Sequence, residues 1–107
     1  MFKKNESENY DEKLKGVFLK TLVHGERTHM TKVILHKGAV IPSHDHIHEQ
    51  TGYMISGRIE LTINGEKFRA NPGDHWCILG SIPHSAIAVE ETELIEVFSP
   101  IRRDYLD

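Results

Sequence analysis

Short runs of β-forming residues separated by turn signals are the feature that most constrains how this chain can fold. Runs such as GVFLKTLV and RIELTI are rich in Val, Ile, Leu, Thr and Phe. Turn signals punctuate the chain at 24–26 (HGE), 36–38 (HKG), 56–57 (SG), 64–65 (NG), 71–74 (NPGD) and 80–83 (GSIP). Regularly spaced short strands with glycine-containing turns are typical of an all-β sandwich or barrel. The sequence therefore predicts an all-β fold.

The clearest local element is the segment RIELTINGEKFRA at residues 58–70. Asn64-Gly65 stands between two runs that alternate between apolar and polar residues. Both residues tolerate positive φ, which a type I′ turn requires at its two central positions. The segment therefore predicts a tight β-hairpin.

The chain has the size of one domain. Its 107 residues allow a single core that buries roughly two-thirds of the unfolded-chain surface. Residues 1–13 are polar and predict an N-terminal arm, and residues 14–107 predict a single barrel domain. A helical turn is expected in the final RRDYLD, residues 102–107.

Composition excludes several classes of function. A hydrophobic content of 38% with 27% charged residues is typical of a soluble globular protein. The net charge is −3 and the basic residues are scattered, so nucleic-acid binding is not expected. No apolar run approaches the ~20 residues of a membrane span, and no apolar stretch follows the charged N-terminus as in a secretory signal. The lone Cys77 suits a reducing compartment, so we expect a cytoplasmic protein.

The stretch HDHIHEQ, residues 44–50, is the richest source of metal-ligand groups. On an extended strand, alternate residues face the same side, so His44 and His46 point together. The residues at 48–50 (His, Glu and Gln) compete as a third ligand. His84 follows a proline in GSIPH, where a turn can aim it at the same centre. Imidazoles in this pattern suit several divalent transition metals.

The segment from Gly38 to Gly57, GAVIPSHDHIHEQTGYMISG, resembles the first sequence motif of the cupin family. The spacing of that motif places Gln50 at the third-ligand position, and a looser second motif runs from Gly73 to His84. The resemblance implies a double-stranded β-helix, the jelly-roll barrel of cupins. It implies one divalent transition metal (Ni, Zn, Mn or Fe) per chain, held by His44, His46, Gln50 and His84.

A neutral amide at the third position has a chemical consequence. Three imidazoles and an amide leave the full charge of the divalent ion uncompensated, which strengthens it as a Lewis acid toward an anionic substrate. This favours chemistry without net oxidation. His48 remains the alternative to Gln50 as the third ligand.

The strand ELIEVF at residues 93–98 leaves the direction of Glu96 open. By period-two alternation, Glu96 either faces the interior with Phe98 or is a surface charge beside inward-facing Ile95 and Val97. The pattern alone slightly favours the surface position.

The ending EVFSPIR is similar to that of small cupins of the pectin-degradation type (KdgF-like), in which an Asp precedes the Phe. Those proteins promote opening of 4,5-unsaturated uronates to linear keto-uronates. The resemblance implies that Glu96 shuttles a proton, Arg102 binds the uronate carboxylate and Phe98 walls the site. Tyr53 and Trp76 are candidates to pack against the sugar.

Three functions are consistent with these residues. The first is a metal-dependent enzyme acting without net oxidation on a small anionic sugar acid. The second is an iron or copper dioxygenase of the same fold, and the third is a non-catalytic ligand-binding protein. By analogy with small cupins, which cover their sheet edges by pairing, we expect a homodimer.

Overall fold

The structure, a computed structural model, describes residues 1–7 and 9–106. Within these residues the chain forms β-strands and one short 3-10 helix, Arg103–Tyr105. The strands are β1 (Asp11–Leu14), β2 (Val17–His24), β3 (His29–Leu35), β4 (Val40–His44), β5 (Glu49–Ser56), β6 (Ile59–Ile63), β7 (Glu66–Ala70), β8 (His75–Ile78), β9 (His84–Ala88) and β10 (Thr92–Ser99).

The strands form two antiparallel sheets that enclose one core. The larger sheet has the order β1-β2-β3-β10-β5-β8 and the smaller one β4-β9-β6-β7. Alternate residues of both sheets face inward, as burial along β3 of the larger sheet and β9 of the smaller sheet shows. The prediction of an all-β jelly-roll barrel is confirmed. The core contains Val17, Leu19, Val33, Leu35, Ala39, Met54, Ile59, Leu61, Ala70, Ala86, Ala88 and Leu94.

The hairpin of β6 and β7 has the predicted turn. Asn64 and Gly65 have φ values of 49° and 83°. Ile63 pairs with Glu66 across them, so the loop has two residues. Positive φ at both central positions identifies the type I′ turn, and the prediction is confirmed.

Two strands lie outside the runs that the sequence singles out. β1 begins at Asp11, within the segment predicted as an arm, and pairs with β2 although its residues are mostly charged. β4 contains Pro42, which is tolerated because β4 lies at the edge of its sheet. The boundaries of the arm (1–13) and of the barrel domain (14–107) stay a prediction. Residue 8 of the arm and residue 107 of the domain lie outside the residues that the structure describes.

The C-terminal segment folds back onto the larger sheet. The predicted helical turn is confirmed as the 3-10 helix Arg103–Tyr105. Thr21 Oγ1 donates a hydrogen bond to the backbone oxygen of Tyr105 at 3.2 Å, and the backbone N–H of Arg102 donates to His29 Nδ1 at 3.2 Å. These contacts hold Arg102 in place. Across the described residues, no helix has the length and hydropathy of a membrane span.

Candidate metal centre and active site

Three histidines from two neighbouring strands and their connections converge on one point. His44 ends β4 and pairs with His84, the first residue of β9. His46 follows in the loop after β4. One ring nitrogen from each residue lies within 4.8 Å of the others, which is a spacing suited to a shared metal ion. His48 is not a member of this group.

The backbone sets the orientation of the three rings. In each ring, Nδ1 lies at hydrogen-bond distance from a backbone carbonyl, which can only accept. Nδ1 is therefore the donor, and in an uncharged ring this leaves the Nε2 lone pair for a metal. The Nδ1–oxygen distances are 2.9 Å from His44 to Pro42, 3.0 Å from His46 to His48 and 2.8 Å from His84 to Ile82.

Several polar atoms of the predicted ligand residues are buried without a partner. Nε2 of His46, Nε2 of His84 and Oε1 of Gln50 have no hydrogen bond within the described residues. Burial lowers the pKa of His46 to about 4 and also lowers the pKa of His84. Both rings are therefore neutral near pH 7, which is the form that binds a metal. Buried, unpaired acceptors of this kind fit a divalent cation.

Gln50 contacts the carboxyl group of Glu96, whose orientation the sequence left open. Gln50 lies buried on β5, and its Nε2 donates a hydrogen bond to Glu96 Oε2. This bond occupies the nitrogen end of the amide. The oxygen end, Oε1, remains the available ligand atom, while Glu49 next to it is exposed.

Glu96 faces the interior of the barrel, so the surface position favoured by patterning is wrong. Leu94 and Phe98 are buried on either side of it along β10. Trp76 Nε1 donates to Glu96 Oε2 at 3.4 Å. Burial raises the pKa of Glu96 to about 7, although the hydrogen bonds from Trp76 and Gln50 act in the opposite direction. Patterning failed because the outward residues on either side of Glu96, Ile95 and Val97, are themselves apolar.

Arg102 lies beside the histidines and has unused hydrogen-bonding capacity. Its guanidinium stacks over the ring of Tyr105 at 4.0 Å and lies 5.1 Å from the ring centre of Phe98. The side chain is 11% exposed, and its buried Nε has no partner. One terminal nitrogen donates to Asp104 at 3.0 Å. After burial, the Arg102 charge is the next cause that lowers the pKa of His46.

Comparisons with known proteins show the family to which the chain belongs. Residues 31–98, more than half of the chain, match the Cupin domain family (Cupin_2). The chain belongs to the cupin family. It is 34% identical over 93 residues to the Pectin degradation protein KdgF of Dickeya dadantii (strain 3937), covering 85% of this cupin and 84% of that protein.

Solved structures of cupins superpose on almost the whole chain. The structure of KdgF from Halomonas sp. matches with a TM-score of 0.93 and 32% identity, covering 99% of this cupin and 98% of that chain. An RmlC-like cupin from Shewanella frigidimarina matches with a TM-score of 0.92 and 25% identity, covering 98% and 95%. The resemblance predicted from the two motifs is confirmed.

The cupin barrel contains a cavity of about 290 Å³ at this site. That volume lies near the lower end of small-molecule sites, which begin at roughly 300 Å³. The structure brings most of the predicted residues together here. The predicted residues that line the cavity are His44, Gln50, Trp76, His84, Glu96 and Phe98.

Like the predicted residues His46 and Arg102, Tyr53 does not line the cavity. It is 51% exposed and lies between Gly52 and Met54, both of which are buried. Alternation along β5 therefore turns Tyr53 to the outer face of the sheet. The expected packing of Tyr53 against a sugar has to be corrected for this reason.

Two of the cavity-lining residues that were not predicted from the sequence carry polar groups of functional interest. Lys13 comes from β1, and Tyr105 comes from the C-terminal 3-10 helix. The charged residues of β1 gave no strand signal. Tyr105 could have been found from the aromatic residue in RRDYLD, since a helical turn after the last strand can return a side chain to the barrel mouth.

His29 has a structural role beneath the C-terminal segment. It is fully buried, and Thr21 Oγ1 contacts its Nε2 at 2.8 Å. Its Nδ1 accepts the hydrogen bond from the backbone of Arg102. Both ring nitrogens are therefore satisfied, and His29 supports the C-terminal segment.

Proposed function

We propose that this cupin is a metal-dependent enzyme that opens the ring of 4,5-unsaturated uronates to give linear keto-uronates. The reaction is an isomerisation: the bond from C1 to the ring oxygen breaks, C1 becomes an aldehyde and C5 becomes a ketone. The proton of the C1 hydroxyl leaves, and a proton arrives at C4. The observation that carries the proposal is a carboxyl group, Glu96, held inside the cavity that His44 and His84 also line.

The similarity to KdgF proteins supports this substrate class. Both the curated relative and the solved Halomonas structure bear that name, and the relative is described as a pectin degradation protein. The identity of 34% extends over most of both chains, and proteins of one fold carry out different reactions. The assignment therefore depends on the chemistry of the residues in the cavity.

The proposed metal site comprises the three histidines and an amide oxygen. The ligand atoms would be Nε2 of the histidines and Oε1 of Gln50, since the other polar atoms of these side chains are engaged elsewhere. When bound, a divalent metal supplies Lewis-acid polarisation of a substrate oxygen. The carboxylate of Glu96 bonds to Gln50 and stays available for the substrate.

Glu96 has the properties of a residue that moves protons at neutral pH. Its pKa of about 7 means that both protonation states are populated there. A group of this pKa can accept the proton of the C1 hydroxyl and deliver a proton to C4. The longer side chain, relative to the Asp of KdgF-like proteins, reaches the amide of Gln50 from β10.

Arg102 and Phe98 provide the binding end of the site. The buried Nε of Arg102 has no partner within the described residues, so a uronate carboxylate would satisfy it with a charge-assisted hydrogen bond. Phe98 is 2% exposed and lies with its ring centre 6.0 Å from that of His46. An apolar wall at this place excludes water from the substrate and strengthens the interaction with Arg102.

Activity on 4,5-unsaturated galacturonate tests the proposal. The metal-loaded protein should speed the loss of ultraviolet absorbance from the conjugated enol ether beyond the spontaneous rate, without oxygen consumption. Arg102→Ala should raise KM, and Glu93→Gln, on the outer face of β10, should leave the rate unchanged as a matched control. Oxygen consumption with iron or copper would instead identify a dioxygenase. A ligand that raises the melting temperature without being converted would identify a binding protein.

The homodimer and the cytoplasmic location belong to the same proposal. Edge strands β1, β4, β7 and β8 leave backbone groups that a second copy could cover. Light scattering coupled to size-exclusion chromatography should give twice the mass of the chain. A mass equal to one chain would contradict the dimer.

A further inference from the structure

Three residues form a row across neighbouring strands of the larger sheet. Glu96 on β10 pairs with Gly52 on β5, and Gly52 pairs with Trp76 on β8. Strands lie about 4.8 Å apart, so the backbones of Trp76 and Glu96 are separated by roughly two such spacings. Direct contact between their side chains requires one of them to cross β5.

Gly52 is what permits this crossing. It is buried, and a Cβ at this position would overlap the indole of Trp76 at Cε2, Cζ2 and Nε1. The indole therefore lies over the bare backbone of β5. Any side chain at position 52 would displace it.

The crossing ends in a hydrogen bond to Glu96. The indole N–H is only a donor, and it reaches Oε2 of Glu96 at 3.4 Å. The amide of Gln50 donates to the same oxygen. Two donors on Oε2 fix the rotation of the carboxyl group and leave Oε1 for a substrate.

We propose that Trp76 is a positioning residue for Glu96 and that Gly52, which has no side chain, leaves the space in which the indole crosses β5. The effect of this role on catalysis rests on the proposed ring-opening function. It differs from the packing of Trp76 against a sugar, because Trp76 then acts on the carboxyl group and not on substrate affinity.

A substrate-free measurement tests the contact. Trp76 is the single tryptophan of the chain, so a ¹⁵N-labelled sample gives one indole N–H resonance in a proton–nitrogen correlation spectrum. Glu96→Ala should shift that resonance to lower proton frequency, because its acceptor is lost, whereas Glu93→Ala should not. Gly52→Ala should also shift it, whereas Gly25→Ala, which has open space around its Cβ, should not. A resonance unchanged by Glu96→Ala in folded protein would overturn the proposal.

Kinetics test the consequence of the contact. Trp76→Phe keeps an aromatic ring but removes the donor, and kcat should fall roughly tenfold or more. KM and metal content should stay unchanged, and the same substitution in the Glu96→Ala background should cause no further loss. A rise in KM at constant kcat would show a substrate platform and overturn the positioning role. If the wild type fails to open the ring, the proposed function fails, and the indole resonance alone decides whether Trp76 holds Glu96.

Discussion

Replacing Gln50 by Glu changes one atom of the site with little change in shape. The amide Nε2 of Gln50 donates a hydrogen bond to Oε2 of Glu96 inside the barrel. In Gln50→Glu, a carboxylate oxygen takes the place of this donor. Two carboxylates in contact in a buried site cannot both stay ionised without a large cost, so one of them must bind a proton.

The size of the effect follows from the bond that is lost. A hydrogen bond to a charged group contributes about 1.5–3 kcal/mol. A change of 1 kcal/mol moves the melting temperature of a domain of about 100 residues by roughly 4–8 °C. Metal-free Gln50→Glu should therefore melt roughly 10 °C below the metal-free wild type at about pH 8. At about pH 5, a protonated carboxyl can donate in place of the amide, so the difference should shrink.

Thermal unfolding followed by circular dichroism, with a chelator present, measures this difference. The double variant Gln50→Glu/Glu96→Gln is the matched control, because it restores an amide and a carboxylate in contact with their positions exchanged. It should recover most of the lost stability. Equal melting temperatures for Gln50→Glu and the wild type at the higher pH would refute the reasoning.

Three further predictions concern the metal, a turn and pH. His84→Ala should abolish tight binding of a divalent metal in a chelator competition, while the exposed His36→Ala should bind like the wild type; equal affinities would exclude His84 as a ligand. Gly57→Ala should lower the free energy of unfolding by about 1–3 kcal/mol in urea titrations, because φ is +88° and a Cβ would overlap the backbone oxygen of Glu91; unchanged stability would contradict this. The pKa of Glu96 is about 7 when folded and 4.5 in its ordinary state, so the folded protein holds the extra proton between these values. The contribution of this group to stability therefore falls as pH rises through that window, and the metal-free Glu96→Gln should lose this component; an identical pH profile would contradict it.

Local features of this chain were predictable because neighbouring residues determine them. Asn64-Gly65 carries its turn type in its own backbone preferences, and the hairpin follows. His44 and His46 converge as their spacing predicted, although His46 lies in the loop after β4 and not on the strand, and the proline before His84 indicated a turn. These predictions needed no knowledge of which strands pair.

The direction of Glu96 depended on the pairing of distant strands. Ile95 and Val97 are apolar but face the outer side of the larger sheet, so hydrophobic alternation gave the wrong side for the carboxyl group. The contact with Trp76 depends on the register of β10, β5 and β8, which no short segment encodes. Of the sequence evidence, only the resemblance to KdgF-like proteins indicated that Glu96 faces the interior of the barrel.

In the proposed reaction, Glu96 moves a proton during ring opening beside a bound metal. The most direct measurement is the first-order loss of enol-ether absorbance of 4,5-unsaturated galacturonate, with wild type and Glu96→Gln at equal metal content. We expect the wild type to exceed the spontaneous rate clearly and Glu96→Gln to be slower by roughly 100-fold or more. A wild type no faster than buffer, or a Glu96→Gln variant as fast as the wild type, would contradict the account.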